Sequence, residues 1–539
     1  MRAQSATTTI THTVRVAAGV FAPGHLGELT QYLPFELVDD VLEQTRTVQR
    51  RLRELPSRVG VYFLLALGLF PGLGYARVWE KLTAGLAGMA VPTPSEKALR
   101  DLRRRLGPAP LKALFEVVAG PLAQPHTPGT RFGGLRTVAF DGCSSLKVPD
   151  TGRNRSWLGR IRYRMGFAGY PTLRLMTLVQ TGTRGLLGAT LGSATDRDEA
   201  SLARRLLGLP RPGLLVLLDR GFDANSFFAE IAGTGAMLLA RAKSTRNPPV
   251  LEHLPEGSYL SDFDGLKVRI IEAELTMTGR DGSRVRDRYR LITTLLDHRR
   301  YPAEALVRLY HQRWEIESAY LALRHTLLDA HVPRSGDPAG LEQELWALLT
   351  LYQLLRMAMV TAVETRPGTD PDRASFTTAP QAARDQLTAA RGVCPEDPAD
   401  PLGVIGRAVL ASLLPARRPR YSARKVKCAT SRYLNRDDTR PALSTKITAI
   451  DITVHTPPID LAARPRRDRV TSPTPPPPTR RQRVTAIMST QPRRAWSGTE
   501  LAESLQVKPR NLLTQLAEWT RLGFLTRTGS GTYILATPP

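Results

Sequence analysis

Apolar positions along the 539 residues fall into successive rhythms. Residues 25–125 carry them at helical spacing, as in "LGELTQYLPFELVDDVLEQTRTVQRRLRELP", punctuated by Pro34, Pro56 and Pro71. This pattern predicts an all-helical N-terminal domain behind a flexible, polar lead over residues 1–24. From 131 to 243 the runs are "LRTVAFDGCSSLKVPD", "PTLRLMTLVQTGTRGLLGATLG", "DEASLARRLL", "GLLVLLDRGF" and "FFAEIAGTGAMLLARAK". They read β, β, β, α, β, α, β and predict a mixed α/β sheet whose first three strands form a meander and whose later strands are joined through helices. Strict alternation then takes over in 244–296, in "LKVRIIEAELTM" and "DRYRLITTLLD", and marks a β insertion. Helical spacing returns over 297–365, in "LYHQRWEIESAYLALR" and in "LEQELWALLTLYQLLRMAMVTAV", the latter apolar enough to be buried against the sheet.

The remainder divides by composition. Residues 366–470 form a less regular basic region, and 471–482 hold a proline run that must be extended, hence a linker. Residues 483–539, with "SGTELAESLQVKPRNLLTQLAEWTRLGFLTRTGSGTYIL", read helix, turn, helix and two strands about Gly529 and Gly531, a winged-helix pattern. The apolar stretch "VGVYFLLALGLFPGLGY" is interrupted by Pro71 and four glycines and reads as a buried helix and turn, not a membrane span. The first residues show neither an apolar signal core nor a cleavage pattern.

Charge sharpens the picture. Lys and Arg number 75 against 49 Asp and Glu, a net of +26, so a polyanion is the expected partner and double-stranded DNA fits best. More than half of that excess lies after residue 400, and Lys508, Arg510, Arg521 and Arg527 favour DNA as the ligand of the winged-helix segment. A hydrophobic share of 42% excludes a wholly disordered chain. Three scattered cysteines exclude a disulfide framework and a cysteine-based zinc site, and indicate a reducing cytoplasm.

Two acids stand at the ends of apolar strands, Asp141 closing "TVAFD" and Asp219 closing "LLVLLD". A carboxylate there is costly unless a cation compensates it. In an open α/β sheet, side chains at the C-terminal strand ends project into the crevice where ligands collect. On a wheel of 3.6 residues per turn, Tyr310, Arg313, Glu317 and Arg324 share one face, which adds a third acid flanked by two cations and a phenol. A salt-bridged surface helix would explain only the charges. Three carboxylates without a His or Cys set suit a hard, oxygen-seeking ion, Mg²⁺ or Mn²⁺.

The order strand Asp, strand Asp, β insertion, helix Glu resembles the DDE transposases of the insertion sequence four family, which have a ribonuclease-H-like catalytic domain. That family's signature is Tyr, two residues, Arg, three residues, Glu, six residues, Lys. Here it reads Tyr310, "HQ", Arg313, "WEI", Glu317, "SAYLAL", Arg324, with every spacing kept and Arg in place of the final Lys. The likeness covers residues 25–365. It implies catalysis by Asp141, Asp219 and Glu317 with two Mg²⁺ or Mn²⁺ ions, Asp141 bridging both. It implies DNA contacts by Tyr310, Arg313 and Arg324, and a hairpin intermediate with a flipped base resting on Tyr289 or Trp314. The implied partners are element ends and target DNA, engaged by a homodimer at the bacterial nucleoid, with no membrane. Two rival readings are a catalytically silent, transposase-derived regulator, which would show a damaged acid triad, and a ribonuclease-H-like nuclease, which would need neither the Tyr-Arg-Glu-Arg face nor the insertion.

Overall fold

The computed structural model describes residues 26–536 except 51–54, 85–90, positions 161, 164–165, 168, 194–195, 197, 281 and 283, stretches 314–316, 390–401, 416–419, 422–424, 428–432, 436–444 and 457–479, and positions 493, 508 and 522–523. It divides into two compact units, Met1–Leu461 and Ala462–Pro539.

The first unit opens with α1 (Phe35–Gln44), α2 (Ser57–Leu69), α3 (Tyr75–Leu82), α4 (Glu96–Leu106) and α5 (Ala109–Val118). Helix α2 is buried on nearly all sides and ends at Leu69, two residues before Pro71. The central sheet follows, built from β1 (Leu135–Lys147), β2 (Thr172–Gln180), β3 (Leu186–Gly192), α6 (Glu199–Arg204), β4 (Leu214–Leu218), α7 (Asn225–Gly233) and β5 (Met237–Arg241). The meander β1, β2, β3 is antiparallel, while β4 lies parallel to β1 and β5 parallel to β4, in the spatial order 3-2-1-4-5. That is the ribonuclease-H-like arrangement. The strand "LLVLL" of β4 is buried at every position, as a parallel strand covered on both faces must be.

The insertion contributes β6 (Tyr259–Phe263), β7 (Leu266–Gly279) and β8 (Arg284–Thr293). It does not stand apart: β8 pairs antiparallel with β5 through Leu291, Ile292 and Thr293, so the insertion continues the catalytic sheet. Next come α8 (Ala303–Gln312), α9 (Glu317–Leu321) and α10 (Pro338–Glu364). Asp337 caps α10 by accepting from Gly340 N at 3.0 Å, and Pro338 occupies its first turn. Of the described helices α10 alone is long and apolar enough to cross a membrane, and 89% of its apolar window is buried in the protein against neighbours that include α2 and α5.

The basic region after residue 366 is more integrated than its composition suggests. It supplies α11 (Thr378–Thr388), α12 (Gly403–Ala411) and β9 (Thr445–His455). Ile405 and Val409 of α12 are fully buried, and β9 pairs with the outer edge of β7 from Glu272↔His455 to Gly279↔Ile447. The alternation in "TKITAIDITVH" is thus that of a sheet strand.

The second unit holds α13 (Arg480–Ser489), α14 (Gly498–Ser504), α15 (Pro509–Arg521), β10 (Leu525–Gly529) and β11 (Thr532–Leu535), with the short strand Trp496–Ser497 pairing to β11. Ser497 and Glu500 form a reciprocal cap on α14. Val484, Met488, Leu501, Leu512, Leu516, Leu525 and Tyr533 close its own small core, as a winged helix requires. Helix α13 begins at Arg480, inside the stretch assigned to the linker. Lys508 and the side chains of Arg510 and Arg521 lie outside the described residues, and Arg527 is exposed on β10.

Candidate active site

Strand register places the two aspartates. In the parallel pair, Ala139 of β1 is level with Leu217 of β4, and Asp141 and Asp219 each follow two residues further along, just past the end of that pairing. Asp219 leaves the strand into a single turn of 3-10 helix and caps it, its Oδ1 accepting from Gly221 N at 2.8 Å. Asp141 and Asp219 are both half-buried, with the Oδ2 of Asp141 fully out of solvent. This is the crevice edge where a cation can offset their charge.

Of the stretch read as one helix from Leu309 to Arg324, α8 is described to Gln312 and α9 from Glu317, residues 314–316 lie outside the described ones, and Ala322–Leu327 is a π-helix. A π turn carries more residues than an α turn, so a wheel of 3.6 residues per turn does not carry through to Arg324. Arg324 instead lines a small apolar cleft with Cys143 and Leu146 of β1 and with Tyr320. Trp314 and the side chain of Glu317 lie outside the described residues.

Tyr310 points inward. It is 5% exposed, and its hydroxyl donates to the carbonyl of Leu218, the residue before Asp219, at 3.0 Å. Burial holds its phenol above the ordinary value, against the opposing pull of Arg313. The Arg313 guanidinium lies 5.8 Å from the Tyr310 ring centroid, half-buried beside it. Tyr289 of β8 meets Tyr310 edge-on, with centroids 5.9 Å apart. It is 8% exposed, its hydroxyl lies 2.9 Å from Nδ1 of His311, and the Arg241 guanidinium stands 3.9 Å over its ring centroid. Arg241 is held there by Asp287 at 3.1 Å. Burial pushes the Tyr289 phenol up to about 12 and holds the His311 imidazole below its usual range. Tyr289, Tyr310, Arg313, Arg241 and His311 therefore form one cluster next to Asp219.

Two further side chains reach the site. The "DEASLARRLL" pattern predicts only a helix, yet Glu199 at its start reaches Gly142 and Gly221, which follow the two aspartates closely in the chain. A Cβ on Gly142 would stand 2.9 Å from the Glu199 carboxyl carbon, and one on Gly221 would stand 3.0 Å from Asp219 Oδ1 and 3.5 Å from Glu199 Oε2. A side chain at Gly142 would make the Glu199 carboxylate shift from this place. Burial, and then the charge of Asp219, raise the Glu199 carboxyl above its usual range, with Arg174 opposing them. A raised acid penalises the folded state as pH rises from the unfolded value through the folded one. Glu199→Gln should therefore raise the thermal midpoint in metal-free buffer at neutral pH, and the gain should vanish near about pH 4, where the carboxyl is protonated in both states. Equal midpoints across that range would contradict the placement.

Tyr320, one turn after Glu317, is the second. Its hydroxyl donates to the carbonyl of Asp141 at 2.5 Å and lies 2.7 Å from Oγ1 of Thr177, the cross-strand neighbour of Asp141. No sequence pattern distinguishes this tyrosine from an ordinary core residue.

Among the described residues no three His, Cys, Asp or Glu side chains lie close enough together to hold a metal ion. The donors that are placed, Asp141 and Asp219, are oxygen donors at the ends of adjacent strands, a donor type that suits a hard divalent cation.

Comparison with known proteins agrees with this architecture. Residues 23–116 match the family described as insertion element 4 transposase N-terminal, and residues 133–354 match the transposase DDE domain. The transposase InsG for insertion sequence element IS4 of Escherichia coli (strain K12) is 26% identical over 415 residues, which span 75% of this chain and 92% of that protein. A cryo-EM structure of a piggyBac transposase synaptic complex with hairpin DNA aligns over 78% of this chain and 89% of that one, at 11% identity and a TM-score of 0.36, too distant a likeness to carry any inference. With both family domains in sequence order and the aspartates side by side in a ribonuclease-H-like sheet, the chain belongs to the DDE transposases of the insertion sequence IS4 family, enzymes that cleave DNA and transfer its strands.

Proposed function

We propose that this transposase moves its element by a cut-and-paste route with a hairpin intermediate, using Asp141, Asp219 and Glu317 as its carboxylate triad. The observation that carries this reading is the register that sets Asp141 beside Asp219, with the Glu317 segment hydrogen-bonded through its neighbours to both strand ends. Two divalent ions, Mg²⁺ or Mn²⁺, would supply the charge that activates the attacking hydroxyl and steadies the leaving oxygen. Asp141 and Asp219 would hold them from the strand ends and Glu317 from α9. The basic side chains Arg313 and Arg324 would fix phosphates of the cleaved strand. The Tyr310 hydroxyl is engaged at Leu218, so its share in DNA binding would be the packing of Arg313. No covalent enzyme intermediate is needed, since water serves the first cut and a 3′-hydroxyl the second.

Tyr289 and Trp314 are the candidate platforms for a flipped base. For Tyr289 the guanidinium of Arg241 covers one face of the ring, so stacking on that face requires Arg241 to move aside. Tyr289→Ala and Trp314→Ala should still nick DNA but yield little hairpin, and an abasic nucleotide at the flipped position should partly restore the hairpin for the residue that serves. Equal loss of nicking and hairpin, without rescue, would assign the aromatics to the fold. A homodimer in the DNA complex would bring one site to each element end, and the enzyme would act at the nucleoid in the bacterial cytoplasm.

The winged-helix unit is proposed as a second DNA contact. Deleting residues 401–539 would strip α12 and β9 from the first unit, so the informative truncation removes 462–539 alone. It should weaken DNA binding and flatten the dependence of log K on log salt, because fewer counterions are released. An unchanged slope would show that this unit does not bind DNA.

A further inference from the structure

We propose that Tyr310 and Tyr320 are positioning residues, a two-point clamp that holds the Glu317 segment in register with the two aspartate strand ends. The inference rests on the triad reading above. Tyr310, seven residues before Glu317, donates to the carbonyl of Leu218 at the end of β4. Tyr320, three residues after it, donates to the carbonyl of Asp141 itself on β1. One tyrosine thus ties the segment to each aspartate strand, with Glu317 between them in the chain.

The geometry gives these bonds unusual leverage. After Leu321 the backbone turns into a π-helix, Ala322–Leu327, so α-helical hydrogen bonding alone does not carry the register of this segment and its contacts with the strand ends matter. Tyr320 is 7% exposed and Thr177 is fully buried. A phenol has one proton to give, so with that proton on the Asp141 carbonyl the Thr177 hydroxyl must donate to Tyr320. Tyr320 therefore joins β1, β2 and α9 at the level of Asp141, and removing its oxygen leaves the Thr177 hydroxyl unsatisfied in a dry site. The family signature contains the first tyrosine as a polar member of a helical face. Here its hydroxyl acts on the backbone beneath Asp219, and Tyr320, outside the signature, does the same beneath Asp141.

Displacing a reacting group by about 1 Å can cost about a hundredfold in rate. Tyr320→Phe and Tyr310→Phe in the full chain should each raise the Mn²⁺ concentration needed for half-maximal binding, followed by electron paramagnetic resonance on the protein–DNA complex. They should slow cleavage about 10- to 100-fold at limiting metal and recover part of the loss at saturating metal, and Tyr320→Phe should leave DNA-end affinity unchanged. Tyr62→Phe is the control, since Tyr62 is as deeply buried and donates to the Leu33 carbonyl at 2.7 Å in the N-terminal domain. It should lower the thermal midpoint without moving the metal requirement. In a Glu317→Ala background the two tyrosine substitutions should have no further effect on Mn²⁺ affinity, because they act through Glu317. Tyrosine variants with the metal affinity of the Tyr62→Phe control overturn the clamp while leaving the triad intact. Glu317→Ala with unaltered Mn²⁺ binding and cleavage overturns the triad assignment and the clamp with it. Should Tyr320→Phe fail to fold, Tyr310→Phe carries the same test at the other strand.

Discussion

Asp141→Ala, Asp219→Ala and Glu317→Ala should each reduce strand cleavage and strand joining by on the order of a thousandfold or more while binding to the element end survives. Phosphoryl transfer asks the protein for placed charge more than for covalent chemistry, so the loss falls on the chemical step. End binding depends on basic side chains spread over the chain and persists. Gel-shift affinity and cleavage of the same labelled end, measured together in Mg²⁺, separate the two effects. Wild-type cleavage by any one variant would remove that residue from the triad.

Glu344→Ala should destabilise the first unit by about 3–5 kcal/mol, the usual cost of stripping a buried charge of its partner. Glu344 on α10 accepts from Arg103 of α4 at 2.8 Å, from the Ser335 hydroxyl at 2.5 Å and from Arg334 N at 2.7 Å. Arg103 is 6% exposed and also bonds Gln343, Ser335 and Tyr75. Removing the carboxylate strands a permanent cation between the N-terminal helices and the helix that backs the catalytic sheet. Paired replacement by apolar residues, Arg103→Leu with Glu344→Leu, should recover much of the loss, because no charge is then left buried. Urea titrations of the single and double variants measure both effects. A loss below about 1 kcal/mol for Glu344→Ala would mean that water reaches Arg103 and solvates it.

What the sequence discloses here depends on how local the cause is. Asp141 and Asp219 are visible because a carboxylate ending a run such as "LLVLL" is anomalous within six residues. The signature spacing singles out Glu317 in the same local way. Tyr310 is harder, since a wheel assigns it to a face but cannot say whether that face meets solvent or the end of a strand, and a phenol is suited to both. Tyr289 reads as an open platform, whereas in the structure it lies beneath Arg241, a residue nearly fifty positions earlier. Glu199 could not be found from its own neighbourhood. Its place depends on Gly142 and Gly221, which belong to two other elements. Strand β9 shows its alternation plainly, but nothing near it names its partner, which lies far back in the insertion.

That last pairing bears on how the enzyme is made. The outer edge of β7 waits for a strand roughly 170 residues further along the chain. At synthesis rates of about 5–20 residues per second, the ribosome needs roughly 10–35 s to deliver it. Through that interval the long edge of the insertion presents unpaired N–H and C=O groups, a template for any other extended chain nearby. Two nascent copies on neighbouring ribosomes could exchange β9, each strand completing the other's sheet. Messages truncated before residue 445 would release a protein carrying Asp141, Asp219 and Glu317 but an open edge, prone to aggregate before it meets DNA.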